Sequence, residues 1–478
     1  MIKTFILILL SLFAEFIFAQ YYRLTAIGGM YIAVEDVDND LNLYDFGENP
    51  AWIIYDENKN KIWMHSDFSK SKGEYKRIYD PYQLNLYGIS FFRVQTLDKS
   101  GTFKGWASYT NEIREKLYGS LLLFPYDGKS FFVTDTTTGN FRYQIITFGF
   151  DYGSKVFKYA CAGVNVNYKI IDGLKDIYTN ARDIYRQINI SPSLAIPITQ
   201  NLNIGFKLTI SNWQEKIEAK SENLYDAELY LYRGNSYAIK RTSNIVNLKL
   251  KEKNSGIGIQ TIYSPQNNLN LGIKFNIKRS GQYILIPYGL LEEYEFGYAN
   301  FNASNINLLS RLKLNKKSTI GLAFKYEYLD IWSKHSPRNL LLWREKIKNF
   351  ESGLGIWSNL SELFSAGIEI LYKNSTADSM KYIDNIFKFI KSDNYIIKLG
   401  GEFKSKKITL RSGFNYLFST KDITFGGDNV AYSSLSFGIT YDPFADLILV
   451  LGKINAKIEQ KNNSVKRNIF KLILILKF

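Results

Sequence analysis

Along most of the chain, apolar and polar residues alternate one by one in segments of about ten residues. In Leu269-Asn270-Leu271-Gly272-Ile273-Lys274-Phe275-Asn276-Ile277-Lys278, one face is Leu, Leu, Ile, Phe, Ile and the other Asn, Gly, Lys, Asn, Lys. The same split runs through 202–211, where Leu202, Ile204, Phe206, Leu208 and Ile210 share a face. It recurs at 305–314, 319–328, 408–418 and 448–458. Successive side chains of a strand point to opposite faces, so each segment reads as a strand with one apolar face. A strand that crosses a bilayer needs ~9–11 residues, which these segments supply.

The connections alternate between short and long. Short ones lie at 197–201, 264–268, 315–317 and 442–445; long ones at 171–186, 212–253, 279–304, 330–346, 374–394 and 419–429. Short turns at one end and long loops at the other are the habit of transmembrane barrels. Counting back from Phe478 gives fifteen strands to Arg142. Bacterial barrels have even strand numbers and no open edge, so residues 61–135 must add one strand, giving sixteen, or three, giving eighteen. The expectation is an all-β, closed antiparallel transmembrane barrel of about sixteen strands (range ~14–18) over residues 61–478. Its last strand alternates back from Phe478 through Leu476, Leu474 and Leu472 to Phe470. That ending resembles the assembly signal of bacterial outer-membrane barrels, which implies the barrel-assembly machinery as a partner of Phe470 and Phe478.

The first residues differ. Lys3, an apolar run from Phe5 to Phe13 and Ile17-Phe18-Ala19 before Gln20 read as a signal peptide over residues 1–19. The run is too short for a membrane helix. Export toward an outer membrane of the Gram-negative type, with its lipid as surroundings, follows. Composition fits: Tyr 35 and Phe 33 against Pro 9 suit many strands with aromatic girdles. Mean hydropathy is −0.18, because lipid-facing and lumen-facing residues cancel in a barrel. The net charge of +15 would suit nucleic acid, but no nucleic-acid module is present and an exported chain rarely meets one. The single cysteine, Cys161, excludes an internal disulfide framework.

Residues 20–60 lack the strand rhythm. Gly28-Gly29 precedes Glu35-Asp36-Val37-Asp38-Asn39-Asp40 and then Asn49-Pro50-Ala51. Over about 35 residues this stretch resembles the long-chain fatty-acid and hydrocarbon transporter (FadL, OmpP1-type) superfamily, including its Bacteroidetes PorV-like members. Met30 stands where the family has a small residue and Trp52 where it has glycine. The resemblance implies that Gly28, Gly29, Asp36, Asn49 and Pro50 belong to a hatch that plugs or lines the barrel; a plain structural lead-in is the alternative. Asp36-x-Asp38-x-Asp40-x-Asn42 has the oxygen spacing of a calcium loop, but lacks its turn glycine (Leu41) and its final glutamate (Gly47). A solvated acidic turn is the simpler reading.

Chemistry is sparse. His65 and His335 are the only histidines, which excludes a His-rich metal site. No Ser/His/Asp arrangement stands out. No cofactor, no catalytic residue and no enzyme activity are expected. Opposite the apolar faces lie Lys207, Lys274, Lys278, Arg311, Lys325, Arg411, Lys453 and Lys457, with Glu327 the one acid in those segments. A lumen lined with Lys and Arg favours anions; the alternative is a network of charges filling a closed barrel. Three loops carry helical spacing instead: Leu174, Ile177, Tyr178, Ala181, Ile184 and Tyr185; Leu340, Leu341, Trp343 and Ile347; and Ile383, Ile386, Phe387 and Ile390. In the resembled family, outer-loop helices form a hydrophobic capture groove. Phe131-Phe132-Val133-Thr134-Asp135-Thr136-Thr137-Thr138-Gly139 is distinctive but names no mechanism. Together these features suggest passive uptake of a small hydrophobic or anionic molecule. Alternatives are a PorV-like barrel that binds a secretion-system or surface protein, and a general porin.

Overall fold

The alternation does produce strands, and they close into a ring. The computed structural model describes residues 48–477 except 56–60, 78, 98–100, 126–130, 136, 158–159, 177–179, 221–226, 234–236, 244, 267–268, 289–291, 423–426, 445–446 and 461–462. The leader, the acidic stretch, Gly28, Gly29, Asp36, Ile177, Tyr178 and Phe478 lie outside the described residues. In chain order come a 3-10 helix (Pro50–Tyr55), β1 (Lys61–Gly73), β2 (Gln83–Thr96), β3 (Thr102–Tyr118), β4 (Phe131–Thr134), β5 (Thr138–Phe157), β6 (Ala160–Lys175) and β7 (Arg182–Pro197). Then follow β8 (Leu202–Lys220), β9 (Ala227–Arg233), β10 (Tyr237–Ser243), β11 (Ile245–Gln266), β12 (Leu269–Tyr288), β13 (Glu292–Lys313) and β14 (Ser318–His335). The rest are β15 (Leu340–Asn359), β16 (Phe364–Lys381), β17 (Ile386–Lys404), β18 (Ile408–Asp422), β19 (Gly427–Phe444), β20 (Leu447–Gln460) and β21 (Asn463–Lys477).

Among the described residues, eighteen strands form one antiparallel barrel, and β4, β9 and β10 form a separate three-stranded sheet. β3 pairs with β5 and β8 with β11, so the small sheet arises from the two connections that interrupt the ring. The ring closes where β1 pairs with β21, Phe68 opposite Leu472. The count is eighteen rather than about sixteen because residues 61–118 supply three strands. In β1 the outward face runs Ile62, Met64, Ser66 and Phe68 and then changes to Lys70 and Lys72, while Trp63 stands on the inward face, which hides the period.

The turn end carries the short connections, such as 198–201, 314–317 and 360–363, and receives the chain entering β1 and leaving β21. The opposite end carries connections 119–137 and 221–244 and is called the loop end. Outward residues near the turn end form an apolar belt around the barrel: Leu208 and Ile210, Ile257 and Ile259, and Phe437 and Ile439 are all exposed. On β17 the outward apolar run goes from Tyr395 to Phe403, close to the ~9–11 residues of a tilted membrane strand. Toward the loop end an aromatic ladder edges the belt. Phe324–Phe350, Phe350–Tyr372 and Tyr372–Tyr395 meet at 5.2, 6.2 and 5.4 Å across β14 to β17. β11 and β13 have 22 residues each, about twice what a membrane crossing needs, so the barrel continues well past the belt.

That extension replaces the helices expected in the loops. Ile184 lies in β7, Phe387 and Ile390 in β17, and Leu340 to Ile347 in β15. Ile383 sits in a tight turn at 382–385 closed by Asn385 at φ 49°; Asn339, also at φ 49°, closes the matching turn at 336–339. Asn tolerates that left-handed conformation. Beyond the belt the strands bear apolar residues on both faces: Ile390 points inward to a buried cluster while Phe387 points out and is exposed. Two partly apolar faces produce spacings of three and four that imitate a helix.

Candidate functional site

Two inserts pack on the inner wall, one near each end. At the turn end, Glu48 and the 3-10 helix lie against β5 to β8. The seat is cut by glycines: a Cβ on Gly163 would stand 2.3 Å from the Ala51 nitrogen, one on Gly205 2.5 Å from Asn49 Nδ2, and one on Gly153 2.7 Å from Ile53 Cγ2. Asn49, buried, works in three directions. Its Oδ1 accepts from Ala51 N–H at 3.0 Å, and its Nδ2 donates to Gln260 Oε1 at 3.0 Å and to the Leu194 and Phe206 carbonyls at 3.4 Å. Ala51 N–H also donates to Ser193 Oγ at 3.0 Å. Ala51, Trp52 and Ile54 fill a small apolar cluster with Cys161, Ala195 and Ile262. Of the expected hatch residues, Asn49 and Pro50 thus sit on the luminal wall.

Just deeper, Lys274 Nζ lies 3.3 Å and Lys207 Nζ 3.9 Å from the Glu48 carboxylate. Lys207 also donates to the Glu48 main-chain oxygen at 2.9 Å. Burial alone would raise the Glu48 carboxyl, but Lys274, Lys207 and Lys325 together hold it below its ordinary range. Around the wall the pairing continues between neighbouring strands: Lys278 with Glu252 at 4.0 Å, Lys398 with Glu369 at 3.9 Å and Arg411 with Glu402 at 2.7 Å. Six of the eight basic residues read as luminal do face inward. Lys453 and Lys457 do not: Lys453 stands opposite Phe437 and Phe470, both outward. The inward face of β20 is Gly452, Ile454, Ala456 and Ile458, whose apolar character had suggested the lipid side. The inner wall is a mesh of paired charges, not a basic ladder.

At the loop end the connection 119–137 turns in over β5 to β8 and β11 to β13. Leu121, Leu122 and Leu123 are fully buried with Phe131, Val133, Phe141 and Tyr143. Glu215 on the wall accepts from Leu123 N–H at 2.8 Å, and Arg114, paired with Glu112, donates to the Leu123 carbonyl at 2.9 Å. Arg114 also lies 4.7 Å over the Tyr143 ring. β4 adds itself to β9, Phe131 opposite Arg233. The clasp is Lys175 at the end of β6. Its Nζ donates to Asp135 Oδ1 and Oδ2 at 2.9 and 2.7 Å and to the Thr137 carbonyl and hydroxyl at 2.9 and 2.6 Å, and both charged side chains are 2 % exposed. The distinctive stretch 131–139 is therefore the body and latch of this cap. Asp135 lies in the stretch that the sequence marks as distinctive without a mechanism; Lys175, Glu215 and Arg114 carry no such signal, because their partners lie far away in the chain.

Among the described residues no group of His, Cys, Asp and Glu could hold a metal. His65 lies in β1 and His335 ends β14; Cys161 is buried.

No curated protein matches the chain. Solved structures match loosely. The copper transporter OprC is 7% identical, with a TM-score of 0.47 over 88% of this chain and 81% of its own. A Pseudomonas aeruginosa FadL homologue is 11% identical, with 0.33 over 95% and 97%. BauA, the ferric preacinetobactin receptor from Acinetobacter baumannii, is 8% identical, with 0.39 over 86% and 80%. Scores this low carry no argument about function, and the FadL resemblance gains nothing from them. A family model does match, over residues 50–334, from the 3-10 helix to the end of β14. Since that is more than half of its length, the chain belongs to the family of unknown function DUF6850.

Proposed function

We propose that this barrel sits in an outer membrane and passes a small solute through its lumen when the turn-end insert leaves its seat. The observation that carries the reading is the combination of a complete apolar belt outside and a short insert held inside by glycine recesses and one charged knot. A belt of exposed apolar residues on every side needs lipid against it. An insert held by a few polar contacts can be displaced without unfolding the wall. Short turns then face the periplasm and the cap faces outward, following barrel habit. Pairing of the luminal lysines with carboxylates weakens the case for an anion path and favours a hydrophobic or uncharged solute. Passive movement fits a chain with no nucleotide-binding motif.

Planar-bilayer recording tests this. Wild type should show little steady current, and Gly163→Leu, which evicts Ala51, should open discrete channels. A large wild-type current would instead make the barrel a general porin. If Gly163→Leu folds and still passes neither ions nor solute, the transport reading fails, and a protein partner bound through the loop end becomes the better account.

A further inference from the structure

We propose that the outer wall formed by β20, β21 and β1 binds a lipid headgroup bearing more than one phosphate. The inference rests on the barrel's seat in a membrane, not on what its lumen passes. Lys453 and Lys457 on β20, Lys466 on β21, and Lys70 and Lys72 on β1 all face outward, by register with the exposed Phe437 and Phe470 and the outward Phe68. Lys457 stands directly opposite Lys466, and like charges directly opposite destabilise a strand pair unless something neutralises them. Glu459, paired with Lys457, is the one acid on this outward face among the described residues of the three strands.

Several other outward cations beyond the belt have protein partners. Lys251 reaches Glu293 at 2.8 Å, with Lys249 on the same carboxylate; Arg344 reaches Asp330 at 2.7 Å, and Arg182 reaches Asp172 at 2.5 Å. Here, among the described residues of the three strands, five lysines share one glutamate, with Lys72 also 5.8 Å from the centre of the Tyr82 ring, which leaves room for a ligand's negative charge.

The order along the wall says what supplies it. From the turn end come Leu451, Leu472 and Leu474, then the aromatic trio with Lys70 and Lys453 in the row of Phe470, and last Lys72, Lys457 and Lys466. In the trio Phe68 meets Tyr87 at 5.1 Å and Phe470 at 6.2 Å. Apolar, aromatic and cationic zones in that sequence match acyl chains, interface and phosphates of one leaflet. Strands lie ~4.8 Å apart and rise ~3.3 Å per residue, so the lysines cover roughly 10 by 13 Å. That footprint suits two phosphates on a single headgroup, with the acyl chains laid on the leucines below. A soluble phosphate would have no use for the leucines and the aromatic trio.

The test uses the full barrel in uncharged detergent and native mass spectrometry with a diphosphorylated glycolipid, compared with its dephosphorylated counterpart of equal acyl chains. Wild type should prefer the phosphorylated lipid at least tenfold, and the preference should fall as salt is raised. The variant K70Q/K453Q/K457Q/K466Q should lose it while keeping the heat-modifiable gel migration of a folded barrel. The control K249Q/K251Q/K253Q, on the far side of the ring, should retain it. Should the quadruple variant fail to fold, the salt dependence in wild type decides: a preference unchanged by salt overturns the proposal. It is equally overturned if the folded quadruple variant binds like wild type, or if inorganic phosphate displaces the lipid from wild type at equal concentration.

Discussion

The two inserts on the inner wall are held in different ways. At the turn end a few residues fit recesses left by glycines, tied by Asn49 and by Glu48 between two lysines. At the loop end three leucines and four aromatic or branched residues are fully enclosed, and one buried ion pair locks them. Apolar burial scales with area and is insensitive to salt and pH, whereas a charged knot beside water is screened and titrates. The loop end is thus built to stay, and the turn end is the place where the lumen can change state. Breaking each closure in turn tests that contrast.

The largest effect is expected at the clasp. Asp135→Ala leaves the Lys175 ammonium enclosed without its carboxylate, and losing one partner of a buried pair costs about 3–5 kcal/mol. Denaturant unfolding in detergent should show that loss, together with new proteolytic cleavage in 119–137. The double variant D135A/K175M removes both charges and should recover most of it. If D135A is as stable as wild type, the clasp is not what holds the cap. Next comes Leu122→Ala, which opens a cavity in the same cluster. About 2–5 kcal/mol is typical, and the same unfolding and cleavage measurements apply, with no change expected at the turn end.

The sequence made some of this plain and concealed the rest. From β5 onward the strands were legible because lipid demands apolar residues on one face and the lumen accepts polar ones on the other. In β1 that contrast fails, since Lys70 and Lys72 face outward and His65, Asp67 and Ser69 inward, so three strands were read as one. On β20 the apolar face points in, and only its register against Phe437 shows that Lys453 points out. The cap was hidden more deeply. Asp135 and Lys175 are 40 residues apart, in a loop and at a strand end, and no local period links them. Asn49 and Pro50 were found through a family resemblance, not through any pattern of their own.

A smaller effect is expected from crowding the turn-end seat. Gly205→Val would drive its side chain into Asn49 Nδ2 and Trp52, which lie 2.5 and 2.9 Å from the added Cβ. Overpacking of this kind costs about 1–3 kcal/mol, and here the two closest contacts are with the insert, with Gln260 of the wall next at 3.0 Å. With Cys161→Ser as background, Ala51→Cys reports on the seat. Ala51 is fully buried, so a thiol there should resist labelling in the parent and react in G205V. Equal labelling in both would mean that the glycine recess does not hold the insert.

The smallest effect belongs to Glu48. The main-chain bond from Lys207 survives Glu48→Gln, and the carboxylate is partly exposed, so screening limits the loss to under about 1 kcal/mol. Its signature is the pH profile. Lys274 and Lys207, against the opposing effect of burial, hold the folded carboxyl below its ordinary range. A depressed pKa contributes stability above the unfolded value, and that contribution is lost as pH falls through the folded one. The knot should therefore hold at neutral pH, begin to weaken as pH falls into the normal carboxylate range, and be lost in stronger acid. Labelling of the Ala51→Cys thiol by a pyridyl disulfide, which reacts at acid pH, should rise through and below that range in the parent. In E48Q it should be slightly higher at neutral pH and flat on acidification. A parent profile as flat as that of E48Q would show that the charged knot plays no part in seating the insert, and the contrast between the two ends would then rest on packing alone.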